Sequence, residues 1–395
     1  MLFQTLDDKK DCVGIYYGEL LFNQELPDDL THTWSYSGFL KGRDVEYAKL
    51  YCGGKTLDMV CPEDLKGRWK RSSDKLKAFI KSFVTARVSL DENCFFDLVP
   101  RKFLEEFCQV KNYICEHVFE NYEKPSNYDY LVSLTEIIED IKYRRLNLNP
   151  KNLSMFKADH RKFSQNLNQI EHSCKFNIYG TKTGRLTTAP KSFPILTLKK
   201  ELRSIIEPRN DYFVELDFNA AELRTLIALQ GKMQPEEDIH EWNVKNVYRG
   251  LGTRDEAKKR IFAWLYNPES QDHLSSRAYD RDSVVQKYFT QGQVRTFFHK
   301  VIPSEERTAL NYIIQSTCAE NVLKQMIKVS NYLEGAKSYV AFPIHDSIVL
   351  DLSVEDKEKL PEIIDIFSNT VLGKFMVNVN VGKNFGQLKR LGGVI

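Results

Sequence analysis

An α+β fold is predicted for this chain of 395 residues on three observations. After about residue 175 strand-like runs alternate with helical patterns. One pair of runs, KSYVAFPIHDSIVLDLS, reads as a β-hairpin with HDS at its tip. A long earlier stretch, from PEDLKGRWKRSSDKLKAFIKSFV to TEIIEDIKYRRL, has apolar residues every three or four positions, which is helical. Together these imply an antiparallel or mixed sheet covered by helices.

In order along the chain, residues 1 to about 60 hold short strand-like runs, VGIYYGELLF and THTWSYSGFL, separated by Pro, Asp and Gly turn signals. The helical region that follows carries two basic clusters, Lys66 to Lys77 and Lys157 to Lys162, each either a solvated face or a surface that tracks phosphates. NIYGTKTGRLTTAP is a Gly/Thr-rich turn region with two cations, Lys182 and Arg185. DYFVELDF is a strand, and AAELRTLIAL a helix ended by Gly231. RDEAKKRIFAWLY is a helix stopped by Asn267-Pro268, and SEERTALNYIIQSTCAENVLKQMIKVSNYLEG a long helix expected to start at a Ser304 cap. No repeat, low-complexity segment or long linker is visible.

Composition narrows the class. Hydrophobic residues make up 42% and aromatics 12%, enough for a substantial interior, and the length suggests two or three domains. With 56 basic and 54 acidic side chains the net charge is +2, which does not decide for or against nucleic acid, because a basic groove can hide in a neutral total. The 8 cysteines form no C-x-x-C pair, which fits reduced thiols. No signal peptide is visible, and no apolar run approaches the roughly 18 residues of a membrane span. A soluble cytoplasmic protein without membrane contact is expected.

Two aspartates draw attention. Asp217 and Asp346 each follow an apolar strand-like run, FVEL and VAFPI. A carboxylate at the end of a buried strand loses hydration, and two such ends side by side concentrate negative charge that a divalent cation relieves. Between them lies a ladder at four-residue spacing, Arg254, Lys258, Phe262 and Tyr266, spanning roughly 18 Å on one helix face. Cations at its start and rings at its end suit a nucleoside triphosphate. The long helix offers a polar ladder, Arg307, Asn311 and Gln315, whose amides suit the sequence-independent acceptors of a minor groove. Solvated helix faces are the plainer reading of both ladders.

Taken together, residues 175 to 390 resemble the polymerase portion of the family A DNA polymerases, the bacterial repair and phage replicative type. TKTGRLTT is similar to T-x-x-G-R-L-[ST]-[ST], LDFNAAELR to D-Y-S-Q-I-E-L-R, and RDEAKKRIFAWLY to the R-x3-K-x3-[FY]-x3-Y nucleotide-binding helix. ERTALNYIIQST resembles the helix before the last motif, and IHDSIVLDL the H-D-E hairpin. The resemblance implies a right-hand fold with an antiparallel-sheet palm, helical fingers and a helical thumb. On this chain that is a small N-terminal cap or vestigial exonuclease region at 1–62, a thumb at 63–175, a palm at 176–232 and 303–395, and shortened fingers at 233–302.

The resemblance also implies roles. Asp217 and Asp346, with the Phe218 backbone carbonyl, would hold two Mg²⁺ ions. Arg254, Lys258 and His240 would grip the triphosphate, with Lys258 the general acid to pyrophosphate. Glu222 would exclude a 2′-hydroxyl, Phe262 would stack near sugar and base, and Tyr266 would close the pocket on the template side. Arg185, Arg307, Asn311, Gln315 and His345 would monitor the primer-template.

Departures from the family pattern are Ser347 for the usual Glu, Phe218 for Tyr, Ala220 for Gln, and Ile261, Ala263 and Asn267 in the fingers helix. Activity is expected to survive the loss of the acid at 347. A proofreading exonuclease is not expected, since the Asp44-x-Glu46 tripeptide follows Lys41, Gly42 and Arg43 instead of an apolar strand. The expected partners are primer-template DNA, dNTPs, and a separate exonuclease or processivity subunit. This stripped-down layout favours a phage source and the host cytoplasm. The rivals are a single-subunit RNA polymerase, which Glu222 argues against, and a catalytically silent duplex-binding replisome subunit, which the two aspartates and the intact cation ladder argue against.

Overall fold

The computed structural model describes residues 1–22, 26–153 and 157–391, with backbone alone at Ala158 and Asn168. The chain divides into two compact units, Met1–Tyr143 and Arg144–Ile395. That division falls inside the 63–175 segment. Nor does 1–62 stand apart from the helices after it. Leu6, Tyr16 and Leu20 share one apolar cluster with Phe103, Leu104 and Cys108, and Trp34, Ala48 and Val60 share another with Val110, Ile114 and Val118. At roughly 1.5–3 kcal/mol per fully buried large side chain, such clusters bind the strands and helices into one folding unit.

In the first unit an antiparallel meander, Gln4–Asp8, Asp11–Tyr16 and Leu20–Phe22, precedes three helices, Glu63–Thr85, Arg101–Asn121 and Tyr128–Tyr143. The third helix is tied back to the N-terminal part, as the Tyr128 hydroxyl accepts the Tyr47 N–H at 2.7 Å. The first helix opens with Glu63 and Asp64, which complement its dipole, and buries only Trp69 and Ser72. Its cations lie on the solvated side, where Lys66 meets Glu63 at 2.5 Å and Lys75 meets Glu106 at 3.6 Å.

The second unit is built on a five-stranded antiparallel sheet. Its order is Tyr339–Ile344, Ser347–Leu352, Tyr212–Phe218, Val377–Gly382, Lys389–Arg390. The predicted hairpin and the predicted strand at 212–218 are therefore neighbours, and the strand is central. Its alternation sorts the side chains: Leu216 and Phe218 are buried, Glu215 and Asp217 only partly so. Phe218 stacks on Phe367 at 4.4 Å within the core, which accounts for an apolar ring at this position.

Helix Ala221–Leu229 leaves the central strand and ends as expected. Gly231, at φ +70°, turns the chain so that its N–H bonds Ala228 and that of Lys232 bonds Ile227. The long helix spans Glu306–Tyr332, and the expected Ser304 cap is not its start. Glu305 sits at the cap, while Ser304 is held in the preceding turn, its N–H bonded to Gly292 and its hydroxyl donating to the Glu305 carbonyl.

Between these helices, Ile239–Asn246, Arg254–Tyr266, His273–Ala278 and Arg281–Tyr288 pack around Ile239, Tyr248, Ile261, Trp264 and Tyr279, together with the start of the long helix. A small three-stranded sheet, Phe289–Thr290, Gln293–Arg295 and Val301–Pro303, completes this region, which the sequence suggested was all helical. Its first turn places Gln291 and Gly292 at φ +52° and +75°, the two-residue hairpin geometry. The eight cysteines are all free, and among the described residues no helix is long and apolar enough to cross a membrane. Residues 392–395 of the expected palm segment lie outside the described residues.

Candidate active site

The sheet brings the two aspartates together. Asp217 closes the central strand directly across from Ser347, so Asp346 at the hairpin turn is one residue from its cross-strand partner. The Asp346 carbonyl accepts the Phe218 N–H at 3.5 Å. Both turns are built from non-glycine residues in the left-handed region, Ala220 at φ +51° after Asp217 and His345 at φ +52° before Asp346.

Electrostatics follow from that packing. Burial, then repulsion from Glu215 and Asp346, raises the Asp217 carboxyl to about 6, against the Asn378 amide at 3.2 Å and the charge of Lys258. Burial and Glu222 likewise raise Asp346, while Arg185 and His345 oppose the rise. Among the described residues no cluster of three or more His, Cys, Asp or Glu has metal-holding geometry. The donors available are two carboxylates and backbone oxygen. Two partly desolvated carboxylates that repel each other match the hard oxygen chemistry of a divalent cation such as Mg²⁺.

Arg185 ties this pair to Glu222. Its guanidinium bonds the Glu222 carboxylate at 2.6 Å and lies 3.9 Å from Asp346. The second Glu222 oxygen accepts the Tyr266 hydroxyl. Burial, then the Glu222 charge, pushes the Tyr266 phenol far above its ordinary value, so it donates at every working pH. Glu222 is thereby fixed between the turn region at 185 and the end of the cationic helix.

That helix, Arg254–Tyr266, opens with a Thr253–Glu256 capping box. Ala257, Ile261, Trp264 and Leu265 are buried, while Lys258 is exposed and Arg254, Phe262 and Tyr266 are half-buried on the other side. The two rings are parallel, 6.2 Å apart. His240 is nearly fully buried, 5.9 Å from Phe262, and burial lowers it to about 4. It is a neutral imidazole at neutral pH, so any hold on a phosphate is by hydrogen bond, not by charge. Tyr266, Arg307 and Asn311 line one cavity of about 560 Å³ with Leu310 and Arg281. Gln315 is half-buried one turn further along the long helix.

A polar network that the sequence did not reveal joins the strand end to the cationic helix. Asn219, two residues after Asp217, donates to Asp238 at 2.8 Å and accepts the Ile239 N–H at 3.0 Å. Asp238 caps the next helix through the N–H groups of His240 and Glu241 and accepts Arg254 at 2.7 Å. Burial alone would raise Asp238, but Arg254, Asn219 and the Glu241 N–H hold it well below the usual carboxylate range. Arg224, fully buried and lowered to about 10 by burial, donates to the carbonyls of Asn219, Pro235 and Glu237. The readable signals were the cap pattern at Asp238-Ile-His-Glu and the Thr253-x-x-Glu256 box.

The α+β fold is similar to that of a solved polymerase domain. The similarity is to DNA polymerase I: the fold matches the polymerase domain of Pol1 from M. smegmatis in complex with DNA primer-template and dNTP, TM-score 0.57, at 12% identity over 72% of this chain and 76% of that one. In sequence, 88 residues are 27% identical to DNA polymerase I of Borreliella burgdorferi, covering 21% of this chain and only 10% of that protein. No family model matches the chain. The resemblance read from the five motifs thus agrees with both comparisons.

Proposed function

We propose that this chain is a template-directed DNA polymerase that adds dNTPs to a primer 3′-hydroxyl, using two Mg²⁺ ions and without a 3′–5′ exonuclease in its described residues. One observation carries the reading: the sheet seats Asp217 and Asp346 side by side, and Lys258 of the cationic helix is close enough to lower the Asp217 carboxyl. Carboxylates for cations and cations for phosphates therefore share one site. The neighbour's bound primer-template and dNTP support the same ligands here.

In this reading Asp217, Asp346 and the Phe218 carbonyl hold the ions. When bound, these lower the pKa of the primer hydroxyl and neutralise the triphosphate and its leaving pyrophosphate. Arg254 and Lys258 bind the phosphates, and Lys258 delivers a proton to pyrophosphate. Glu222, held by Arg185 and Tyr266, presents a carboxylate against a ribose 2′-hydroxyl, which favours dNTPs over the RNA-polymerase reading. Asn311, Gln315, Arg307 and His345 contact the primer-template. The palm is 176–232 with 303–395, the fingers 233–302, and helix Glu63–Thr85 belongs to the thumb.

The absence of proofreading is supported by Glu46, whose carboxylate is taken up by Lys124 and Tyr51, each at 2.5 Å. Primer extension by the purified chain with Mg²⁺, run beside 3′-end degradation of the same labelled primer, tests both parts. Extension without degradation is expected. No extension, or a preference for rNTPs, would overturn the assignment.

A further inference from the structure

We propose that Glu215 adds a third negative charge beside the Asp217–Asp346 pair, standing in across the sheet for the acid absent at position 347. The inference rests on the cation-binding reading above and adds to it a residue that the motifs do not mark.

Glu215 precedes Asp217 by two positions on the central strand, so both side chains leave the same face, roughly 7 Å apart along the backbone. Each is backed from the adjoining strand by an asparagine. The Asn380 amide donates to Glu215 at 2.8 Å, and that of Asn378 to Asp217 at 3.2 Å. On the other side the Ser347 hydroxyl, directly across from Asp217, lies 3.5 Å from the second Glu215 oxygen and also donates to the Ile344 carbonyl at 3.0 Å.

Position 347 is therefore in reach of Glu215. A glutamate at 347 and a glutamate at 215 would deliver a carboxylate to the same region from neighbouring strands. Among the described residues neither Glu215 nor Asp217 has a Lys or Arg within the 4.0 Å of an ion pair. Apart from Lys258, whose charge acts on Asp217 from beyond ion-pair distance, these two partly buried acids have only amide and hydroxyl partners, and a hard divalent cation would supply the balancing charge. Glu215 acts as a positioning residue, adding charge beside Asp217.

The test is Mn²⁺ binding to the DNA-free protein by titration calorimetry, with thermal melting in EDTA as a check on folding. Glu215→Gln keeps an acceptor for Asn380 and is expected to weaken Mn²⁺ binding about tenfold without lowering the melting temperature in EDTA. The relocated acid, Glu215→Ala with Ser347→Glu, is expected to restore affinity to within about twofold, which a purely structural role for Glu215 would not do. Wild-type affinity in Glu215→Gln, or no recovery in a folded double variant, overturns the proposal alone. No Mn²⁺ binding by the wild type, or undiminished binding by Asp217→Asn, overturns the cation site itself and Glu215 with it.

Discussion

Arg254 and Asp238, 16 residues apart, meet at 2.7 Å, and the carboxylate is 9% exposed while the guanidinium is 41% exposed. The cation assigned to the triphosphate is thus positioned by an acid that also caps a helix and reaches the strand of Asp217 through Asn219. Asp238→Asn keeps a cap but removes the charge that balances buried Arg224 and holds Arg254. It is expected to destabilise the fold by about 1–2 kcal/mol, discounted for the exposure of Arg254, as read by urea denaturation. Single-turnover kinetics should show weaker dNTP binding with duplex binding unchanged.

Asp217→Ala and Asp346→Ala are each expected to reduce primer extension by at least about a thousandfold, roughly 4 kcal/mol of barrier. Primer-template affinity, measured by fluorescence anisotropy, should stay near wild type. An unchanged extension rate would remove these residues from the chemistry.

The raised carboxyl of Asp217 gives a pH signature. An acid whose native pKa, about 6, exceeds its unfolded value near 3.9 holds its proton longer when folded. Its contribution to stability therefore falls between about pH 4 and pH 6, and the penalty is complete above that window. Asp217→Asn should accordingly raise stability by about 1–3 kcal/mol at pH 7.5 in EDTA, and change it little at pH 4. Urea midpoints at the two pH values measure this directly.

Glu222 offers a test of sugar selection. Glu222→Ala removes the carboxylate that Arg185 and Tyr266 hold in place, and is expected to raise rNTP relative to dNTP incorporation by about ten- to a hundredfold. Tyr266→Phe, which frees one Glu222 oxygen, should shift the ratio in the same direction by less.

Duplex binding should be salt-dependent, with affinity falling at least about tenfold between 50 and 200 mM salt, as expected when several phosphate contacts release counterions. Charge reversal at Lys70 and Arg71 on the exposed side of helix Glu63–Thr85 should flatten that slope. A flat slope in the wild type would remove this helix from the thumb.

How much of this was legible depended on whether a signal was local. The hairpin around His345-Asp346 and the strand ending at Asp217 were visible because alternation and turn residues are short-range features. The helix of Arg254 was visible because its charged and aromatic ladder has a helical period. The sheet at 289–303 was missed, since strands of two or three residues carry no readable period. The break at 143/144 was hidden because the helical texture of the sequence runs through it. The Arg224–Asn219–Asp238–Arg254 network and the closeness of Ser347 to Glu215 depend on registers between separate segments, which composition and spacing do not encode. The Ser304 cap failed because a tertiary bond to Gly292 claimed that residue first.

The left-handed backbone at Ala220 and His345 has a consequence for durability. Each such residue sits about 1 kcal/mol or more above its relaxed state and is kept there by neighbours, not by its own preference. Gentle warming or low urea should let these two corners spring back before the surrounding sheet melts. The proposed polymerase activity is then expected to fall silent while the circular dichroism still looks intact, and to return on cooling.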